Sequence, residues 1–270
     1  MAMRVGHWIE VGRMDELGRL DSPLHRLDAR TKAVTTLLFI VVVMSFPRYE
    51  LAALTPFVLY PLALVALGNL PASFLLRKLL IAAPFALLVG IWNPLLDRAP
   101  ALVVGGCAIS GGWLSFASIL FRFCLTVSAA LALVAGTGMH RLCAGLERLG
   151  VPRAFATQLL FLYRYLFVVA DEGSRMVRSL ELRSFGARPP GLRVYGSLLG
   201  HLLLRSLDRA QRVYRAMVAR GFDGEIRVLG PTAMRPRDFA FLLGWTAFFG
   251  AARTWNLADA LGRWLIGGGP

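Results

Sequence analysis

The sequence predicts an all-α fold: a polytopic membrane helical bundle of five spans, or six if the tail forms its own, with long amphipathic helices on the cytoplasmic side. Three observations carry that expectation. Of 270 residues, 56% are hydrophobic and only 17% charged, where a soluble domain carries about 25% charge and about 45–50% apolar residues. Five runs are apolar and close to bilayer length. The formal net charge of +14 is also concentrated, because residues 139–237 hold seventeen Lys/Arg against seven Asp/Glu, whereas residues 33–138 hold five against two.

A span needs about 20 mostly apolar residues. Ala33–Phe46 is apolar but short, so it must borrow neighbours or thin the bilayer. Leu51–Gly68 is the second span, Leu79–Leu96 the third, Trp113–Gly136 the fourth, and Phe239–Ala252 begins the fifth. Residues 253–266 either extend the fifth or form a weak sixth. The first apolar run starts too far in for a secretory signal peptide, which predicts a retained N-terminus. Residues 1–138 thus form an N-terminal segment with spans one to four, 139–237 a cytoplasmic region, and 238–270 a C-terminal membrane segment.

The short loops alternate in charge. Arg30 and Lys32 precede the first span and Arg77 with Lys78 separate the second and third, while the opposite loops carry only Arg48 with Glu50 and Asp97 with Arg98. That asymmetry predicts a cytoplasmic N-terminus and basic block. Pro56, Pro61, Pro84 and Pro94 read as kinks whose freed carbonyls are satisfied by neighbours. Arg122, midway along the fourth span, is expected to face protein or water, since a central Arg costs about 2.5–3.5 kcal/mol on insertion scales.

Within the basic block, Leu159, Leu162, Leu166, Val169, Met176 and Leu180 recur at helical spacing, opposite Arg164, Asp171, Arg175 and Arg178. Leu199, Leu203, Leu207, Ala210, Tyr214 and Met217 form a second stripe, opposite Arg205, Asp208, Arg209, Arg212 and Arg215. Two long amphipathic helices are therefore expected, one before Pro189-Pro190 and one after. Their ends match under a shift of 37 residues: Leu182-Arg183-Ser184-Phe185 against Ala219-Arg220-Gly221-Phe222. A basic residue near a helix C-terminus, followed by Gly, suits capping and the dipole. A matched pair of such tips equally suits docking to a partner, and interfacial helices with Arg on lipid headgroups are a third reading.

Other chemistry is missing. The only lysines, Lys32 and Lys78, follow no Gly-x-x-x-x-Gly, so there is no Walker A loop. His7, His25, His140 and His201 have no ligand spacing, and Cys107, Cys124 and Cys143 form no CxxC or even framework. No serine-hydrolase or metalloprotease motif is present. Neither a nucleic-acid motif nor basic residues interleaved with exposed aromatics appears, so the lipid bilayer is the expected partner of the charge and nucleic acid is not. No cofactor and no metal site are expected in this chain.

Three stretches carry a family resemblance: Ser22-Pro23-Leu24-His25-Arg26-Leu27-Asp28-Ala29-Arg30-Thr31-Lys32, the doubled Arg tip, and Leu149-Gly150-Val151-Pro152. They resemble the transmembrane T component of energy-coupling factor (ECF) transporters, in its CbiQ cobalt-transport subfamily, over nearly the whole chain. The resemblance implies two crossing coupling helices whose Arg tips dock on two ATP-binding cassette ATPase subunits. It also implies a separate CbiM-like substrate-binding membrane subunit (the S component) for cobalt or, less often, nickel. The family's Ala-Arg-Gly motif matches Ala219-Arg220-Gly221 literally, while Arg183-Ser184 keeps only the Arg. It implies a non-catalytic subunit of an importer in the inner membrane. A scaffold without a transport cycle and a membrane enzyme with an unrecognised site are the alternatives from other classes.

Overall fold

A computed structural model describes residues 22–47, 50–96, 100–104, 107–184, 191–224 and 234–254. They form two compact units: residues 22–145 with 234–254, and residues 146–184 with 191–224. Phe185, Gly186, Pro189, Pro190, Arg48, Asp97, Arg98, His7 and the tail from 255 to 266 lie outside the described residues.

In the first unit a 3-10 turn, Pro23–Arg26, leads into α1, Ala29–Met44. The Asp28 carboxylate caps α1 by accepting the Arg30 N–H at 2.9 Å. Lys32, Thr35, Thr36, Phe39 and Val43 lie on one side of the helix and form its buried face, while Leu37 and Val41 are exposed. The second expected span is a 3-10 stretch, Ala52–Val58, followed by α2, Leu59–Gly68. Pro56 lies in the 3-10 part, where its missing N–H and ring disfavour a regular α-helix. Asn69, at φ 48°, closes α2 with the Leu70 N–H on the Val65 carbonyl, a left-handed helix end.

The third span is shifted from its expected bounds. Its helix α3 runs Ala72–Gly90 and a short α4 follows over Trp92–Leu96. Arg77 and Lys78 therefore sit inside the helix instead of in a loop. Long basic side chains can lie along a helix with only the head group polar, and the Lys78 ammonium sits 5.7 Å from the Phe74 ring centroid. The sequence reading also missed an antiparallel hairpin, β1 Pro100–Val104 with β2 Cys107–Ser110. Its signal was present: Leu-Val-Val, then Gly105-Gly106, then Cys-Ala-Ile. The bundle is otherwise helical, with α5 over Gly111–Ala135, α6 over Met139–Arg148 and a last helix, Pro236–Thr254.

Lipid tails are as apolar as leucine, so packing and internal hydrogen bonds hold membrane helices together. Both occur here. Phe39, Phe57, Tyr60 and Phe249 are almost fully buried, with Phe39 and Tyr60 rings 4.7 Å apart and Trp245 edge-on to Tyr60 at 4.9 Å. The Tyr60 hydroxyl hydrogen-bonds Thr36 at 2.8 Å and donates to Thr35 at 3.3 Å. This cluster joins α1, α2 and the last helix.

The second unit contains α7, Arg153–Arg183, and α8, Leu192–Val218. The last helix, Pro236–Thr254, is accordingly α9. By length and composition, Ala72–Pro94, Gly111–Ala135 and Arg153–Arg183 can each cross a membrane, and Ala52–Gly68 is a shorter apolar stretch. The chain is an integral membrane protein.

Candidate functional site

The two long helices meet around one acidic residue. Arg205 of α8 donates to the Glu172 carboxylate of α7 at 2.7 Å, while Arg175 and Arg209 approach it at 3.4 and 3.6 Å. One residue further on, a Cβ on Gly173 would lie 3.4 Å from Leu202, an ordinary contact, so the helices meet here without requiring a glycine. Hydrogen bonding from Arg205, then the charges of its neighbours, holds the Glu172 carboxyl below the usual carboxylate range. A lowered acid stabilises the contact at neutral pH and loses that contribution as pH falls through its own pKa. Acidification below the carboxylate range, or Glu172→Gln at neutral pH, should therefore loosen the contact. Spin labels at Arg178 and Arg212, read by pulsed EPR, should show a broadened distance distribution in both cases.

From Glu172 to Arg183 is eleven residues, and from Arg205 to Arg220 fifteen. At about 1.5 Å per helical residue these are arms of ~16 and ~22 Å. Arg183 is the last residue of α7, and Ser184 is its C-cap. The Ser184 N–H donates to Leu180 O at 3.0 Å, and its hydroxyl donates to Glu181 O at 2.8 Å. The α8 end is built differently. Ala219 follows the helix, Gly221 takes φ 80°, and Phe222 N–H reaches Met217 O at 3.0 Å while Gly221 N–H reaches Val218 O at 2.9 Å. That is a Schellman closure with the glycine at the left-handed position.

These closures separate two roles that the sequence left together. Backbone capping falls to Ser184 at one tip and Gly221 at the other. Arg183 and Arg220 are exposed, and among the described residues neither guanidinium has a hydrogen bond or ion pair. Their remaining local contribution is to the helix dipole, about 0.3–1 kcal/mol each.

The Ser22–Lys32 stretch has a different geometry. Three successive carbonyls of its 3-10 turn accept from three basic side chains on three helices: Leu24 O from Lys32 at 3.2 Å, His25 O from Arg141 at 3.0 Å, and Arg26 O from Arg237 at 2.9 Å. Lys32, 1% exposed, also donates to Gly136 O at 3.1 Å, just past the end of α5. Leu24 fills the space beside it, and a Cβ on Gly136 would approach it to 2.6 Å. Asp238, 2% exposed, accepts the Arg235 N–H at 2.8 Å and the Asp28 N–H at 3.0 Å, tying together the starts of α9 and α1. Carboxylates thus sit at two positive helix ends and an ammonium at a negative one. Sequence reasoning did not single out Asp238, Arg141 or Arg237. Pro236 followed by Asp238, a proline at the first helical position and an acid at the third, was the available signal.

Arg122, expected to face protein or water, donates to Pro47 O at 2.6 Å, beyond the C-terminus of α1. Arg253 of α9 donates to Ser45 O at 3.3 Å and lies 4.4 Å from the Phe46 ring centroid. Two arginines therefore serve the carbonyls at the end of a helix only 16 residues long. Among the described residues no three His, Cys, Asp or Glu side chains are grouped to hold a metal ion.

The sequence model of the CbiQ family, described as cobalt transport protein, matches residues 21–229. The energy-coupling factor transporter transmembrane protein EcfT of Heliobacterium modesticaldum is 28% identical over 258 residues, covering 88% of this chain and 95% of that one. The nickel permease LarQ of Lactiplantibacillus plantarum is 30% identical over 195 residues, 66% of each chain. The cobalt transport protein CbiQ of Rhodobacter capsulatus is 35% identical over 104 residues, 38% of this chain and 41% of that one.

Proposed function

We infer the function from one premise: the chain belongs to the CbiQ cobalt transport protein family, as the transmembrane component of an ECF transporter. In our reading it couples ATP hydrolysis in two ATPase subunits to a separate CbiM-like membrane subunit that binds cobalt, or nickel as in the relative named for that metal. The observation that carries the reading is the pair of exposed arginines, each at the end of a helical arm and each relieved of capping by a neighbour. Coupling passes through rigid elements that a partner can bias between two arrangements, and the Glu172 contact joins two such arms. The chain itself is non-catalytic and takes no cofactor.

Residues 139–237 and the N-terminus are cytoplasmic in this reading, in the inner membrane. The first half of α7 is apolar enough to span, but its second half carries Asp171, Glu172, Arg175, Arg178, Glu181 and Arg183. If α7 crossed, the Arg-rich α8 would lie outside, against the positive-inside tendency. An impermeant thiol reagent added to sealed cells should fail to label a cysteine placed at Arg178 and should label it after permeabilisation, with the native cysteines replaced. Of these, Cys143 is buried, and burial pushes its thiol up. Labelling from outside would overturn the orientation.

The test of the function itself is co-expression with a Walker-containing ATPase and a polytopic metal-binding subunit, followed by affinity purification through this chain and cobalt and nickel uptake. The three should co-purify and uptake should require ATP, while this chain alone, shown free of other subunits by mass spectrometry, should turn over none. Uptake that persists without this chain would refute coupling, and ATP turnover by the isolated chain would refute its non-catalytic role. Stable co-assembly with no transport would favour a scaffold.

A further inference from the structure

Below the Lys32 network a cavity of about 440 Å³ opens between the 3-10 turn, the end of α2 and the start of α9, lined by Ser22, Leu24, Arg26, Leu27, Leu67 and Arg237, with Pro23 at its rim. Its chemistry is divided. Arg26 and Arg237 are exposed and bring two guanidiniums to it, and one Arg237 nitrogen is used on Arg26 O. Leu24, Leu27 and Leu67 supply an apolar wall. From Leu67 the exposed residues Ala66, Leu62 and Leu59 continue along α2 at helical spacing, so an apolar track leads from the cavity along the exposed side of the helix. On the face of α9 above Arg237, Ala240 and Gly244 are exposed, and a Cβ at Gly244 would meet nothing within 4 Å. A basic pocket at the end of a membrane unit, with a hydrocarbon track rising from it, matches one ligand shape: a charged head on an acyl chain.

The geometry points to a binding site for an anionic phospholipid, its phosphate between Arg26 and Arg237 and an acyl chain along Leu67, Leu62 and Leu59. Phosphate suits guanidinium because two parallel N–H groups reach two oxygens of one anion. Basic pockets between membrane helices bind anionic head groups on this ground. A zwitterionic lipid offers the same phosphate but brings its own cation, which the two arginines repel. The site is independent of the transport reading and requires only that the chain sit in a bilayer.

The purified chain is incubated in mixed micelles of equal phosphatidylglycerol and phosphatidylcholine, and retained lipid is measured by mass spectrometry after gel filtration. Each arginine near an anionic surface is worth a factor of about five, so the wild type should enrich phosphatidylglycerol by roughly twenty- to thirtyfold. Arg26→Ala/Arg237→Ala should bring the ratio near one. Because Arg237 also braces the 3-10 turn, a second variant, Leu67→Glu, keeps both arginines and their hydrogen bond but sets a carboxylate in the cavity, and should lose the enrichment with an unchanged gel-filtration profile. Excess inorganic phosphate should leave the enrichment intact. A wild-type ratio near one, an unaltered ratio in Leu67→Glu, or loss of enrichment to inorganic phosphate would each overturn the lipid site, the last in favour of a free phosphate.

Discussion

Replacing both Arg183 and Arg220 with Ala is expected to abolish co-purification of the ATPase subunits and metal uptake, and replacing either alone to weaken both. A guanidinium at a helix tip can make several charge-assisted hydrogen bonds at once, which Ala cannot replace and Lys replaces poorly. Truncating one partner of a buried, hydrogen-bonded charge pair costs about 2–5 kcal/mol, a loss of roughly thirty- to several-thousand-fold in affinity. If the arginines served only the helix ends, the cost would be about 0.3–1 kcal/mol of local stability, with assembly intact. The structure sharpens that contrast, because Ser184 and Gly221 hold the helix ends without them. Arg212→Ala, on the exposed side of α8, controls for general charge loss. Gly221→Ala separates the geometry from the charge. It strains a left-handed position while leaving Arg220 present, so it should reduce docking at one tip through misdirection. A double mutant that keeps its ATPase partners and transports normally at normal expression would remove the docking role.

Lys32→Met is expected to destabilise the membrane unit. Met keeps most of the side-chain volume but removes the ammonium, leaving Leu24 O and Gly136 O without that donor at a position 1% exposed. Leu24 O keeps the Leu27 N–H at 3.2 Å, so Gly136 O is the acceptor left unpaired among the described residues. A buried acceptor left unpaired costs about 1–3 kcal/mol, a fall of roughly 3–10 °C in the thermal midpoint for a chain of this size. Asp238→Ala should act similarly, since it removes the acceptor of both the Arg235 and the Asp28 N–H groups. Asp238→Asn, which keeps one acceptor oxygen, should be milder. The measurement is thermal unfolding of the purified chain in detergent, with Thr55→Ala, whose exposed hydroxyl bonds only the Ala52 carbonyl, as the control. A Lys32→Met midpoint equal to the wild type would mean the carbonyls find other donors and the network does not hold the unit together.

Much of the helical framework was legible from residue order. Hydropathy located helical structure within each of the five apolar runs, because a span must be apolar over its length and satisfy its own backbone. Of these, Ala72–Pro94 and Gly111–Ala135 are long and apolar enough to cross a membrane. The stripes from Leu159 to Leu180 and from Leu199 to Met217 fall within α7 and α8 because a helix repeats its faces every three to four residues. Local chemistry also marked Gly221 as a helix-capping position, found at φ 80°. Boundaries were less legible at charged residues such as Arg77 and Lys78, because a long side chain can keep its head polar while its helix continues. The hairpin of Pro100–Val104 with Cys107–Ser110 was less legible because its apolar runs are only four or five residues long, too short for periodicity to tell strand from helix.

The partners of the charges depended on tertiary structure. Lys32 and Gly136 are 104 residues apart, Asp28 and Asp238 210, and Arg122 and Pro47 75. No local periodicity relates such pairs, because hydrogen bonds act over about 3 Å of space and are indifferent to distance along the chain. Sequence alone therefore identified the helical runs and two arginines at matched tips. The packing of α1, α5, α6 and α9 decided which charges became internal braces, and the closures at Ser184 and Gly221 left Arg183 and Arg220 exposed and without a capping role.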